Sequence, residues 1–119
     1  MPVRCTRFAT SLTLNMNEYI LNDKFKAKLL LKGEWLYDNI LSKDVRIYEL
    51  NFDFYYELDY ENLDPGEEIY LNAEGMQFVI TWDEIDEFSF KSDPTVGGLT
   101  LDEAILTAEN IVKQKIRWK

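Results

Sequence analysis

The clearest pattern in the chain runs from Asp44 to Tyr60. Tyr48, Leu50, Phe52, Phe54, Tyr56, Leu58 and Tyr60 fall on even positions, and Glu49, Asn51, Asp53, Tyr55, Glu57 and Asp59 on odd ones. A helix would scatter these residues around its circumference, whereas a strand sorts them onto two faces. The spacing predicts one long strand, aromatic inside and acidic outside. Alternation also predicts strands over Thr6–Met16 and Lys24–Lys32. In the second, Phe25, Ala27, Leu29 and Leu31 oppose a row of lysines, and Leu30 is out of step.

Weaker signals fill the intervals. A turn or short helical segment is expected around Tyr19–Leu21, bracketed by asparagines. Gly33–Lys43 reads as a short helix or irregular connection, from the i,i+4 pairs Leu36/Ile40 and Tyr37/Leu41, although Asp38-Asn39 would also suit a hairpin tip. Turn chemistry appears at Asp64-Pro65-Gly66 and at Asn72–Gly75. Short strands are expected at Glu68–Asn72, at Met76–Trp82 and around Phe88 and Phe90, the last followed by a loop through Pro94 and Gly97-Gly98.

The C-terminal helix has a readable start. Thr100-Leu101-Asp102-Glu103 matches a capping box, with Thr100 as N-cap and Glu103 reaching back to its amide. Leu101, Ala104, Ile105, Ala108, Ile111 and Val112 form one apolar stripe, which needs a flat apolar surface to lie on. Ile116-Arg117-Trp118 then follows as a tail or short edge strand. These elements predict an α+β fold: a mostly antiparallel sheet of about five to six strands, with the amphipathic helix packed on one face. No linker or repeat divides the chain, so residues 1–119 are read as a single domain.

Composition narrows the chemistry. At 46% hydrophobic and 14% aromatic, the chain can build its own core. Its one cysteine, Cys5, excludes an internal disulfide and suits a reducing compartment. No apolar run approaches the ~18–20 residues that cross a bilayer. A cytoplasmic protein with no membrane contact is expected. There is no histidine, which excludes His-based triads and His-ligated zinc. Phosphate-binding glycine loops and CxxC pairs are also missing from the sequence. No cofactor, no metal and no catalytic residue are expected, and the chain is read as a non-enzyme.

Charge is the most informative feature. Residues 1–43 carry seven basic and four acidic side chains, residues 44–87 one and fourteen, and residues 88–119 five and four, for a net −9 overall. The middle segment therefore holds an uncompensated excess of carboxylates, which disfavours direct nucleic-acid binding. The predicted partner surface is Glu49, Asp53, Tyr55, Glu57 and Asp59, a row on the outer face of the long strand. Such a row steers a basic protein partner, as an inhibitor, an immunity-like protein or a nucleic-acid mimic would. The bland alternative is a solvated face partly neutralised by Lys24, Lys26 and Lys28.

Other constellations carry less. Asp59, Glu61, Asn62, Asp64, Glu67 and Glu68 make an oxygen-rich turn, but their order does not fit a calcium loop. Paired carboxylates are uninformative among twenty-two acidic residues. An N-terminal Pro2 base finds no matching β-α-β pattern, and Cys5 has no histidine to activate it. Tyr19, Trp35, Tyr37, Tyr55 and Trp118 lie off the inner faces and could anchor a partner or a homodimer. Two further functions stay open: a small-molecule or carboxylate-based catalytic domain with a pocket between sheet and helix, and an oligomeric structural subunit.

Overall fold

The computed structural model describes residues 18–22, 24–59, 66–82 and 87–119. The expected strand at Thr6–Met16, Cys5 and Pro2 lie outside them. The elements are β1 (Glu18–Ile20), β2 (Lys26–Tyr37), β3 (Leu41–Leu50), α1 (Phe54–Leu58), β4 (Gln77–Thr81), β5 (Thr95–Gly98), α2 (Leu101–Val112) and β6 (Arg117–Trp118). All strand pairings are antiparallel, in the order β1-β2-β3-β4-β5, and β6 pairs with the far end of β2. The α+β class and the C-terminal helix on the sheet agree with the sequence reading. None of the described helices is long and apolar enough to cross a membrane.

The long strand is shorter than its alternation implies. β3 ends at Leu50, and residues 54–58 coil into α1. Two side chains cause the break. The amide of Asn51 donates to Lys24 O (2.9 Å) and its Oδ1 accepts from Lys26 N (2.7 Å), closing off the start of β2. Asp53 then caps α1, its Oδ1 accepting from Tyr56 N at 3.3 Å. The even residues Tyr48, Leu50, Phe52 and Phe54 still share one core, since a turn of helix after a bend keeps them on the same side.

Gly33–Lys43, favoured as a short helix or irregular connection, is the alternative, a hairpin with its tip at Asp38-Asn39. β2 and β3 pair without interruption from Leu31↔Ile47 to Tyr37↔Leu41. The turn sits at Asp38 and Asn39, both left-handed with φ of 55° and 60°, and Ile40 N donates to Tyr37 O at 3.1 Å. Asp and Asn tolerate that conformation better than other side chains. Further differences are local. Glu18–Ile20 pairs as an edge strand, Glu68–Asn72 and Phe88–Phe90 are not in the sheet, and Thr95–Gly98, expected as loop, forms β5.

Leu30, the residue out of step, marks a bulge. Leu29 opposes Tyr48 but Leu31 opposes Ile47, so β2 changes which parity faces which side. The sheet is thereby buried on both faces. On one, Val45, Ile47, Phe78 and Ile80 meet Ala104 and Ala108 of α2 and Ile116 of the tail. On the other, Ala27, Tyr48, Leu50 and Val79 lie beneath an aromatic cluster of Phe25, Phe52, Phe54, Phe88 and Phe90. Each fully buried side chain of this size stabilises by about 1.5–3 kcal/mol. Small residues set the helix distance: a Cβ on Gly97 would lie 2.8 Å from the Ala104 Cβ. Thr100 caps α2 as expected, accepting from Glu103 N at 3.1 Å while Glu103 accepts from Leu99 N. Ile111 departs from its stripe and is 51% exposed.

Candidate functional site

The end of the molecule around α1 is organised by buried polar side chains. Asp53 and Gln77 are 8% and 0% exposed. Besides capping α1, Asp53 accepts from Tyr70 N through Oδ2 at 2.8 Å. Gln77 accepts from Phe54 N at 3.1 Å and donates to Tyr70 O at 3.1 Å. Both backbone groups of Tyr70 are thus held by side chains, as a neighbouring strand would hold them. Asn72 continues the clasp, donating to Leu99 O and accepting from Glu74 N and Met76 N around the tight loop at residues 72–75. The consequence is that residues 66–71 are tied back to the start of α1.

This arrangement redistributes the predicted partner residues, which do not share one extended face. Glu49 sits at the end of β3 on the α2 side of the sheet, opposite Lys28 and Phe78, and is half-buried. Asp53 points inward. Tyr55 is half-buried with its hydroxyl on the Pro94 carbonyl and 3.1 Å from Asp93 Oδ1. Burial first, and then the Asp93 carboxylate, push that hydroxyl up to about 12. Glu57 is half-buried on the first turn of α1, and Asp59, its C-cap, is exposed. Two of the five, Asp53 and Tyr55, therefore hold the fold. Glu57 is part-exposed and Asp59 exposed, and Glu67 and Glu68 are exposed on the segment that leads to Tyr70, whose backbone is held at the start of α1.

Charge neutralisation occurs elsewhere. Among the described residues, ion pairs join Asp44 to Arg46, Glu109 to Lys115, and Glu34 to both Arg117 and Lys119. None of these involves Glu57, Asp59, Glu67, Glu68 or Glu74. No group of three carboxylates among the described residues converges closely enough to hold a metal ion. Gln77 is the participant that the sequence reading passed over. Its signal was a lone amide inside the apolar run Met76–Ile80, a polar group that has to find partners once buried.

Other sites offer less. The contact of Gly97 with Ala104 leaves no room for a ligand between sheet and helix at that point. An open cleft of 910 Å³ lies beside β1, lined in part by Tyr19, Phe88 and Phe90. Its charged rim pairs Glu18 and Glu87 with Lys26 and Lys91, so it favours neither sign of ligand. The chain matches no known family model, no curated protein and no solved structure.

Proposed function

We propose that this chain is a non-enzymatic binding protein that engages a basic protein partner through its acidic end. Glu57, Asp59, Glu67 and Glu68 are the contact carboxylates. The observation that carries the reading is the lack of an ion pair at these four residues among the described residues, where the ion-paired cations Arg46, Lys115, Arg117 and Lys119 engage other carboxylates. Uncompensated like charge on one end raises the encounter rate with an oppositely charged surface and discriminates against acidic ones. The surface is a cluster around a short helix rather than a line along a strand, so it suits a compact basic patch.

The test is affinity capture from a lysate of the native source at low and high salt, with the purified chain and with a variant carrying Glu57→Lys, Asp59→Lys and Glu68→Lys. A basic protein retained at low salt, released at high salt and lost with the variant supports the reading. Equal retention by both proteins, or retention indifferent to salt, overturns it.

A further inference from the structure

The opposite end of the molecule, built on the β2–β3 hairpin, carries a surface of the reverse character. Leu36, Tyr37, Ile40 and Leu41 surround the turn and are 42%, 52%, 85% and 55% exposed. Soluble surfaces scatter single apolar residues, and their concentration at one tip marks an interaction site. Strand pairing sets Tyr37 against Leu41 on one face of the hairpin, Ile40 stands in the turn, and Leu36, paired with Ser42, lies on the other face.

A cationic rim encloses this tip. The Lys43 ammonium lies 5.4 Å from the centre of the Tyr37 ring. Gln114, just beyond α2, clamps Leu36 by donating to its carbonyl and accepting from its N–H, both at 2.9 Å, which brings Lys113 and Lys115 to the hairpin. β6 adds Arg117 and Lys119 alongside β2. The acidic residues described here are Glu34, Asp38 and Glu109, with Asp44 paired to Arg46. The ion pairs at this end are asymmetric. The side chains of Lys115, Arg117 and Lys119 are 91%, 77% and 62% exposed, against 14% for Glu109 and 33% for Glu34. The cations are more exposed than their counter-ions, and five basic side chains, Lys43, Lys113, Lys115, Arg117 and Lys119, stand against Glu34, Glu109 and the exposed Asp38 of the turn, so the local balance is positive.

We infer that this hairpin end docks on an anionic lipid surface, with the apolar tip entering the headgroup boundary and the cationic rim seated on the headgroups. An apolar projection inside a positive rim needs a partner that is negatively charged and yields to a protruding shape, and an anionic bilayer surface is both. Lys43, its ammonium over the tyrosine ring, has the reach to keep its charge at the headgroups while Tyr37 sits at the boundary. A second copy of the chain meets the tip less well, because tip-to-tip contact would press two positive rims together. This departs from the expectation of no membrane contact. The residues responsible are far apart in sequence, and only the fold assembles them. The inference is independent of the basic partner proposed for the acidic end.

The experiment is sedimentation of the full chain with phosphatidylcholine vesicles, and with vesicles in which about a third of the lipid is phosphatidylserine. Binding to the second and not the first, weakened by salt, is expected. Ile40→Asp should reduce it on the order of ten-fold, and Lys113→Glu with Lys115→Glu by a similar factor, with melting temperatures unchanged. Failure to bind anionic vesicles at low salt overturns the inference, as does binding that both sets of variants leave intact. A concentration-dependent dimer in ultracentrifugation, dissociated by Ile40→Asp, would assign the tip to a second copy and overturn it equally.

Discussion

The two ends of this molecule are built inside out with respect to each other. Around α1, polar side chains are buried and satisfied: Asp53 and Gln77 hold four backbone groups between them, while Asp59, Glu67 and Glu68 face solvent together with Leu58, Ile69 and Tyr70. At the β2–β3 hairpin, apolar side chains project into water, while the indole N–H groups of Trp35 and Trp118 are buried without an acceptor. The difference follows from what each backbone needs. A hairpin satisfies its own amides by cross-strand pairing, so its tip side chains are free to be apolar. The segment at residues 66–71 has no partner strand, so side chains must supply its hydrogen bonds. The buried polar side chains of the α1 end and the self-paired backbone of the hairpin end are two outcomes of one requirement, that buried backbone groups be paired.

If the α1 end is the structural end, its substitutions should dominate stability. Phe54→Ala should have the largest effect, about 3–5 kcal/mol, because the ring is fully buried among Phe52, Phe88 and Phe90. Denaturant unfolding measures it, and a loss below about 1 kcal/mol would mean that the aromatic cluster collapses around the gap. Asp53→Ala comes next, at about 1–3 kcal/mol, since it removes the cap of α1 and leaves the part-buried Tyr70 N–H without its side-chain acceptor. Asp53→Asn keeps one acceptor oxygen and should lose less. Equal losses for the two would show that the carboxylate is not bridging α1 and Tyr70 in solution.

The same contrast explains what the sequence did and did not disclose. The start of α2 was legible because Thr100 accepts from an amide of its own turn, although Glu103 reaches the Leu99 amide rather than that of Thr100, and β4 because its apolar run is unbroken but for Gln77. The bulge at Leu30 was visible as a break in alternation, without its meaning. What failed was the reading of Asp44–Tyr60 as one strand. Period-two spacing cannot tell a strand from a strand followed by a bend and a five-residue helix, because both keep Tyr48, Leu50, Phe52 and Phe54 on one core. The warning lay in Asn51 and Asp53, residues that strands avoid and helix caps favour. Gly33–Lys43 was ambiguous between a short helix and a hairpin tip for the opposite reason. Leu36/Ile40 and Tyr37/Leu41 satisfy helical spacing, and only the long-range pairing with β3 settles the matter. The acidic surface suffered from the first of these errors: its residues were correctly seen as charged but placed on a line that the bend at Asn51 abolishes.

A smaller effect is expected at Tyr55, which ties α1 to the loop before β5. Its folded pKa of about 12 lies above the ordinary value of 10.0, so the protonated form is favoured by folding. The stabilisation is complete below pH 10 and is lost as pH rises from 10 through about 12, where the unfolded chain ionises first. Burial also raises the Tyr48 hydroxyl, which adds a loss in the same direction. Tyr55→Phe should flatten the alkaline limb of the stability profile and remove one late-appearing tyrosinate from an ultraviolet titration. An unchanged limb would mean that the hydroxyl is not engaged with Pro94 and Asp93.

The smallest effect should come from the hairpin tip, and it is the one on which the contrast between the ends depends. Ile40 is 85% exposed and belongs to neither core cluster, so Ile40→Ser removes almost no buried apolar area. The turn itself is fixed by Asp38 and Asn39, whose left-handed conformations do not involve the Ile40 side chain. Stability should therefore stay within about 0.5 kcal/mol of the parent. A surface apolar residue with no folding role and no partner would be replaceable in solubility as well as in stability. Ile40→Ser should thus raise the solubility limit while leaving the unfolding curve in place. A destabilisation above about 1 kcal/mol would place Ile40 in a packed environment in solution. The hairpin end would then be a second structural end, and its apolar tip a hidden part of the core.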